Sequence, residues 1–132
     1  MNFVEYIQQN DRFAIINQVE LVELTAEYAV AKAPIHPDCL NADGVAQGGF
    51  VFTLADLCFT FLSNHLHPRT VTQMATATYT APAKGSWLYA RATELNCTRH
   101  NNVVNVVVTN DLGTTVGVFQ FNGFIAPLKD AE

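Results

Sequence analysis

The sequence predicts an α+β domain in which an antiparallel sheet curls around one buried helix. Three observations lead there. Residues 50–62 form an apolar run longer than an ordinary strand, yet too short and too closely bounded by polar residues to span a membrane. Strand-like segments rich in Val and Thr fill residues 70–125, separated by turns of a few residues, as antiparallel pairing allows. The chain is 49% hydrophobic and only 14% charged, well below the usual share of about a quarter. Its 132 residues are read as one domain, 1–132, with a sizeable core. So little charge predicts that part of the surface is covered by further copies of the chain.

Taken in order, residues 2–10 read as a short amphipathic helix with Phe3, Val4, Tyr6 and Ile7 on or near one face, ended by Asn10 and Asp11. From Phe13 the pattern turns to strand. Val19, Leu21 and Glu23 alternate with Glu20, Val22 and Leu24, Thr25 and Ala26 make a turn, and residues 27–33 return as a second strand. Pro34 and Pro37 end it, and a loop over 35–44 leads to the core helix. His65 and His67 fall in an exposed connection. Strands follow at 70–81, 87–97, 103–109 and 114–125, with turns at 82–86, 99–102 and 110–113.

Charge and cysteine usage narrow the function. A net charge of -5 with seven Lys and Arg argues against general nucleic-acid binding, which needs many phosphate-neutralising cations. Three cysteines, Cys39, Cys58 and Cys97, with no CxxC spacing fit a reduced, cytoplasmic protein with buried thiols better than a disulfide framework. Met1 to Ile7 lacks the basic start and long apolar region of a signal peptide, and no membrane partner is expected. His36, His65, His67 and His100 show no ligand spacing with Cys or carboxylates, so no metal site is expected.

The core helix carries the chemistry. No polar stripe is read at helical spacing, so the helix is expected to be buried on every side. Asp56 is the only charge between Gly44 and Asn64. A carboxylate there is costly unless paired, hydrogen-bonded or partly protonated, which marks it as a functional acid. The helix opens at Gly48 and Gly49, where unpartnered N–H groups and the helix dipole favour negative charge and glycine lets a ligand approach the backbone.

The order of elements, with Asn41, then Gly44-Val-Ala-Gln-Gly-Gly49 and Leu54-Ala-Asp56, resembles the hotdog-fold acyl-CoA thioesterases of the PaaI type, over nearly the whole chain. Asp11-Arg-Phe-Ala14 resembles that family's lead-in to its first strand, Thr78-Tyr79 with Pro82-Ala-Lys-Gly85 the end of its third, and Asp111-Leu-Gly113 its last hairpin. The resemblance implies hydrolysis of a coenzyme A thioester. Gly48 N–H would polarise the carbonyl, and Asp56 would act as base or nucleophile. Asn41 would hold the water or the thioester region, although an Asn before a turn is equally a turn former. Thr72 aligns with a hydroxyl placed near the attacking water in some members. Gln47 stands where the family usually has His; it can keep hydrogen bonds but cannot carry the proton.

Thioester hydrolysis needs oxyanion donors and a carboxylate that activates water or attacks directly. Along one helix Gly48 and Asp56 are roughly 12 Å apart at about 1.5 Å per residue. If both act on one thioester, two chains must share the site. This agrees with a homodimer or a dimer of dimers (homotetramer), as the resemblance implies, with residues 70–81 as the joining strand. Gly49 and Phe50 are candidates for contact with the acyl group; Phe50, Phe52, Phe59 and Phe61 serve equally as core. Lys84, Arg99 and His100 are candidates for the phosphates of coenzyme A, which is part of the substrate; no cofactor is expected. The competing function is a hotdog protein that binds acyl-CoA without hydrolysing it, with Gln47 as the sign of lost chemistry. A dehydratase would need a His between Pro37 and Asn64, where none occurs.

Overall fold

In the computed structural model, which describes residues 1–126, Asn2 caps the first helix, α1 (Phe3–Asn10), by accepting the Glu5 N–H at 2.8 Å. Val4 and Ile7 turn into the core. Asp11 then caps a second helix, α2 (Arg12–Ile16), accepting the Ala14 N–H at 2.9 Å. This corrects the strand expected from Phe13; residues 11–14 lead into the first strand as a short helix. The deciding feature is Asp11, whose short carboxylate satisfies an orphan helix N–H. The apolar residues that suggested a strand stay outside: Phe13 is 61% and Ile16 71% exposed.

Six strands follow: β1 (Glu20–Leu24), β2 (Tyr28–Pro34), β3 (Thr70–Tyr79), β4 (Trp87–Cys97), β5 (Asn101–Asn110) and β6 (Thr115–Ile125). A 3-10 turn at Pro37–Cys39 and the long helix α3 (Gly48–Leu66) separate β2 from β3. All pairings are antiparallel, in the order β1-β2-β4-β5-β6-β3. The segment 82–86 is therefore not a hairpin turn, as its length suggested. It carries the chain from β3 at one edge to β4 beside β2, and β3 closes on β6 instead. Asp111 holds that crossover in place by accepting the N–H groups of Ser86 (2.9 Å) and Trp87 (3.2 Å), and these two bonds lower its pKa below the ordinary carboxylate range.

Helix α3 lies against the sheet's concave face and buries ten residues, from Phe50 to Ser63. Phe59 stacks on Phe121 at 5.2 Å between centroids, and the Ala-rich β2 and β4 let the helix approach closely with Ala29, Ala31, Ala90 and Ala92 fully covered. The helix is longer than the apolar run, and nineteen residues of this composition suffice to cross a bilayer. Its apolar faces are instead wrapped by its own sheet.

One face is not wrapped. Gly49, Phe52, Thr53, Asp56, Thr60 and Asn64 are exposed or half-buried, at the three- and four-residue steps of a single helix stripe. This corrects the helix read as buried on every side. The stripe escapes a composition reading because its polar groups turn back on the helix: Thr53 Oγ1 donates to Gly49 O and Thr60 Oγ1 to Asp56 O, both at 2.8 Å.

Edge strand β3 is exposed along most of its length on both faces. It carries an extra residue, Gln73, between Thr72 (opposite Gly123) and Met74 (opposite Asn122). The bulge switches which residues face the helix. Thr70 and Thr72 face α3 before it; Ala75 packs on the core and Tyr79 reaches α3 after it. In a regular strand Thr72 and Tyr79, seven apart, would point to opposite faces.

Gly123 on β6 sits where Asn102, Thr70 and Phe59 converge, and a Cβ there would lie 2.7 Å from Thr70 Cγ2 and 2.9 Å from Phe59 Cζ. Gly123→Ala is expected to lower unfolding stability by about 1–3 kcal/mol, the scale of overpacking. Chemical denaturation checks this, and an unchanged midpoint would refute the packing described.

Candidate active site

The loop before α3 is folded to deliver Gly48. Asn41 Oδ1 accepts the N–H groups of Asp43 (2.9 Å) and Val45 (3.2 Å), closing a turn in which Gly44 takes φ +77°. Leu40 bridges Ala46, Ala46 N–H donates to Ala83 O at 3.1 Å, and Gln47 N–H to Cys39 O at 2.8 Å. The helix start is thus tied to the crossover on one side and the 3-10 turn on the other. Asn41 forms the turn and also lines the adjoining pocket.

Gln47 caps α3. Its Oε1 accepts the Gly49 N–H at 2.6 Å, and its carbonyl takes the N–H groups of Phe50 (2.9 Å) and Val51 (3.2 Å). Gly48 N–H alone of this first turn has no acceptor among the described residues. Tyr79 Oη donates to Gly48 O at 2.9 Å, and its ring would lie 3.3 Å from a Cβ at position 48, so a side chain there would press on the ring. Burial raises the Tyr79 pKa, keeping the hydroxyl a donor.

The two glycines face different spaces. Gly48 lines a pocket of about 480 Å³ with Asn41, Tyr79, Thr80 and Val116. Gly49, Gln47 and Phe50 line a second one, of about 360 Å³, with Phe13 and Thr53. Both are within the range of small-molecule sites, about 300–1,000 Å³.

Asp56 is half-buried on the open stripe, eight residues beyond Gly48. Thr72 Oγ1 donates to its Oδ1 at 2.8 Å. Burial raises the carboxyl pKa; the Thr72 bond pulls it down, and the nearby Asp11 charge pushes it further up. The net effect is a carboxylate held above the ordinary range, as a general base requires. Thr72 and Asp56 thus meet, and Gly48 stands apart from them, near the other end of β3.

The remaining candidates divide. Phe50 is buried, edge-on to His36 at 5.4 Å. Lys84 is exposed on the crossover beside Pro82 and Ala83, which line the Gly48 pocket. Arg99 and His100 are exposed in the β4–β5 turn, and His100 accepts the Ile125 N–H on its carbonyl, beside the C-terminal half of α3 rather than its start. Two further expectations are corrected. His67 is not in an exposed connection but half-buried, its Nε2 2.6 Å from Glu94 Oε2, with Cys97 close by. Cys97 is exposed, unlike the buried Cys39 and Cys58. Sequence reading also missed Tyr79 as the clasp on Gly48, since its role depends on the Gln73 bulge.

The Thioesterase superfamily model matches residues 43–116, from the turn before α3 into β6. The chain belongs to the Thioesterase superfamily. A curated relative from Archaeoglobus fulgidus, called a presumptive esterase, is 31% identical over 93 residues; the match spans 70% of this chain and 60% of the relative. A solved variant of the phenylacetic acid degradation protein PaaI from Thermus thermophilus is 28% identical with a TM-score of 0.81, over 86% of this chain and 98% of that one. A Streptococcus mutans protein solved with acetyl CoA is 25% identical with a TM-score of 0.79, over 85% and 91%. The fold is the hotdog fold of PaaI-type thioesterases.

The raised pKa of Asp56 has a consequence for stability. The folded state holds this proton more tightly than the unfolded chain, so the stabilisation present below the ordinary aspartate pKa, about 3.9, is lost as pH rises through the raised value. Asp56→Asn, which can keep the Thr72 bond, is therefore expected to melt at a higher temperature than the parent at pH 7, with the gap closing below about pH 4. Thermal melts across that range test it; a variant less stable at pH 7 would contradict the assignment.

Proposed function

We propose that the protein hydrolyses acyl-CoA thioesters at sites shared between two copies of the chain, Gly48 from one and Asp56 from the other. The carrying observation is that both groups are tied to the same edge strand at different points, Gly48 to Tyr79 and Asp56 to Thr72. If β3 pairs antiparallel with β3 of a second copy about an axis between Ala75 and Thr76, Thr72 comes opposite the partner's Tyr79. That register brings Asp56 of each copy toward the helix start of the other, twice by symmetry. It also covers the exposed edge and part of the open stripe.

In such a site the Gly48 N–H donates to the carbonyl oxygen as negative charge develops there. Asp56 takes a proton from the attacking water, or attacks the carbonyl carbon itself to form a mixed anhydride that water then hydrolyses to the free acid. The C–S bond breaks, and coenzyme A leaves as a thiol with a proton from the solvent side. Thr72 holds the carboxylate in place. No group beyond substrate, water and these residues enters the steps. Gln47 is accounted for as the helix cap, a role that needs an acceptor and no proton. A coenzyme A ester is favoured by the acetyl CoA bound to the Streptococcus mutans relative. Lys84 of one copy, with Arg99 and His100 of the other, are the candidates to meet its phosphates.

A panel of acyl-CoAs assayed for thiol release tests the reading. The parent is expected to turn over at least one, and Asp56→Asn to lower kcat/KM by on the order of a hundredfold or more, the scale of a positioned base. The acid limb of the parent's kcat/KM profile should lie above the ordinary aspartate value of about 3.9 and vanish in the variant. Equal rates in parent and variant would remove Asp56 from the reaction.

A further inference from the structure

At the far end of α3, roughly 28 Å from Gly48 along the helix axis at about 1.5 Å per residue, one side chain from the end of the helix meets two from β4. His67 ends the helix, its backbone N–H capping Ser63 O at 2.9 Å. Its Nε2 lies 2.6 Å from Glu94 Oε2, and the donor atoms of His67, Glu94 and Cys97 all fall within 4.8 Å of one another. Glu94 and Cys97, three apart on β4, would point to opposite faces of a regular strand. They share a face because β4 bulges at Leu95, which pairs with nothing while Glu94 stands opposite Val104 and Asn96 opposite Val103.

We propose that His67, Glu94 and Cys97 form a binding site for a divalent transition-metal ion, Zn²⁺ above all. An imidazole, a carboxylate and a thiol are the donor set this ion takes, three from the protein and a fourth position left to water. About a tetrahedral ion with bonds of about 2.0–2.3 Å, N and O donors stand roughly 3.3 Å apart and S and N donors roughly 3.6 Å. His67 and Glu94 must therefore open by under about 1 Å while Cys97 swings inward, which side-chain rotation of an exposed cysteine permits.

An outer shell is already built. Asn102, only 1% exposed, donates through Nδ2 to Glu94 Oε2 at 3.2 Å and to Ser63 Oγ at 2.9 Å. A buried amide thus fixes one carboxylate oxygen and links it to the last turn of α3, the arrangement that orients metal ligands. On binding, the thiol yields its proton to solvent and the sulfur coordinates the ion. The ion would clamp the end of α3 and the start of β3 onto the β4–β5 hairpin. It takes no part in the chemistry at Gly48.

The probe is the metal alone. Chelator-treated protein is titrated with Zn²⁺ against a chromophoric competitor, and with Co²⁺ for its absorption spectrum. The expected result is one equivalent per chain, a thiolate-to-cobalt charge-transfer band, and a melting temperature that rises with Zn²⁺. Cys97→Ser alters an exposed side chain and should leave the circular dichroism unchanged, abolish the band and weaken Zn²⁺ binding by more than about tenfold, the lower scale for losing even an outer-shell partner. Glu94→Gln should weaken it likewise. No stoichiometric binding to the parent, or undiminished affinity in Cys97→Ser, overturns the proposal.

Discussion

The hydrogen bond from Thr72 to Asp56 joins the central helix to the edge strand of the sheet, and the candidate site depends on it. A carboxylate on a helix whose other faces are Phe, Leu, Ala and Cys loses most of its hydration. The Thr72 hydroxyl restores one donor at 2.8 Å, while burial and Asp11 still keep the pKa raised. Gln73, an extra residue in β3, keeps Tyr79 on the same face as Thr72. That single insertion lets Thr72 on one side and Tyr79 on the other both face α3, so one strand holds Asp56 and clasps the carbonyl of Gly48.

The same strand leaves the single chain incomplete. Its outer edge presents unpaired backbone groups, and most of its residues are exposed. An uncovered ten-residue edge is a liability, since it is a template for pairing with another chain. The half-buried stripe of α3 adds a second uncovered face beside it. Pairing of β3 with its copy removes the first and shields part of the second. On the proposed reading, stability and catalysis draw on one contact.

Much of this was legible in the sequence, and the failures are informative. The buried helix, the isolated Asp56 and the glycine pair were read from composition and spacing, and Thr72 came from resemblance. The stripe on α3 was legible too, since Thr53, Asp56, Thr60 and Asn64 stand at helical steps, but Phe, Leu and Cys dominate the segment and hide it from a reading of composition. Asp11 as a helix cap was misread because the apolar residues after it look like a strand and are in fact exposed. The bulges at Gln73 and Leu95 leave no local signature. What depends on them, Tyr79 at Gly48 and the meeting of His67, Glu94 and Cys97, therefore emerges only from the fold. The crossover over 82–86 has the length of a hairpin turn, and only strand order separates the two.

The central claim is that Gly48 and Asp56 serve one site from different chains. The most direct measurement mixes two inactive variants, Asp56→Asn and Gly48→Val, the latter filling the space beside Tyr79. After subunit exchange, confirmed by mass spectrometry, a mixed dimer holds one site with both lesions and one with neither. Thiol release should then return toward about half the parent rate per mixed dimer, since one of its two sites is intact. Full exchange with no recovery of activity would contradict the shared site.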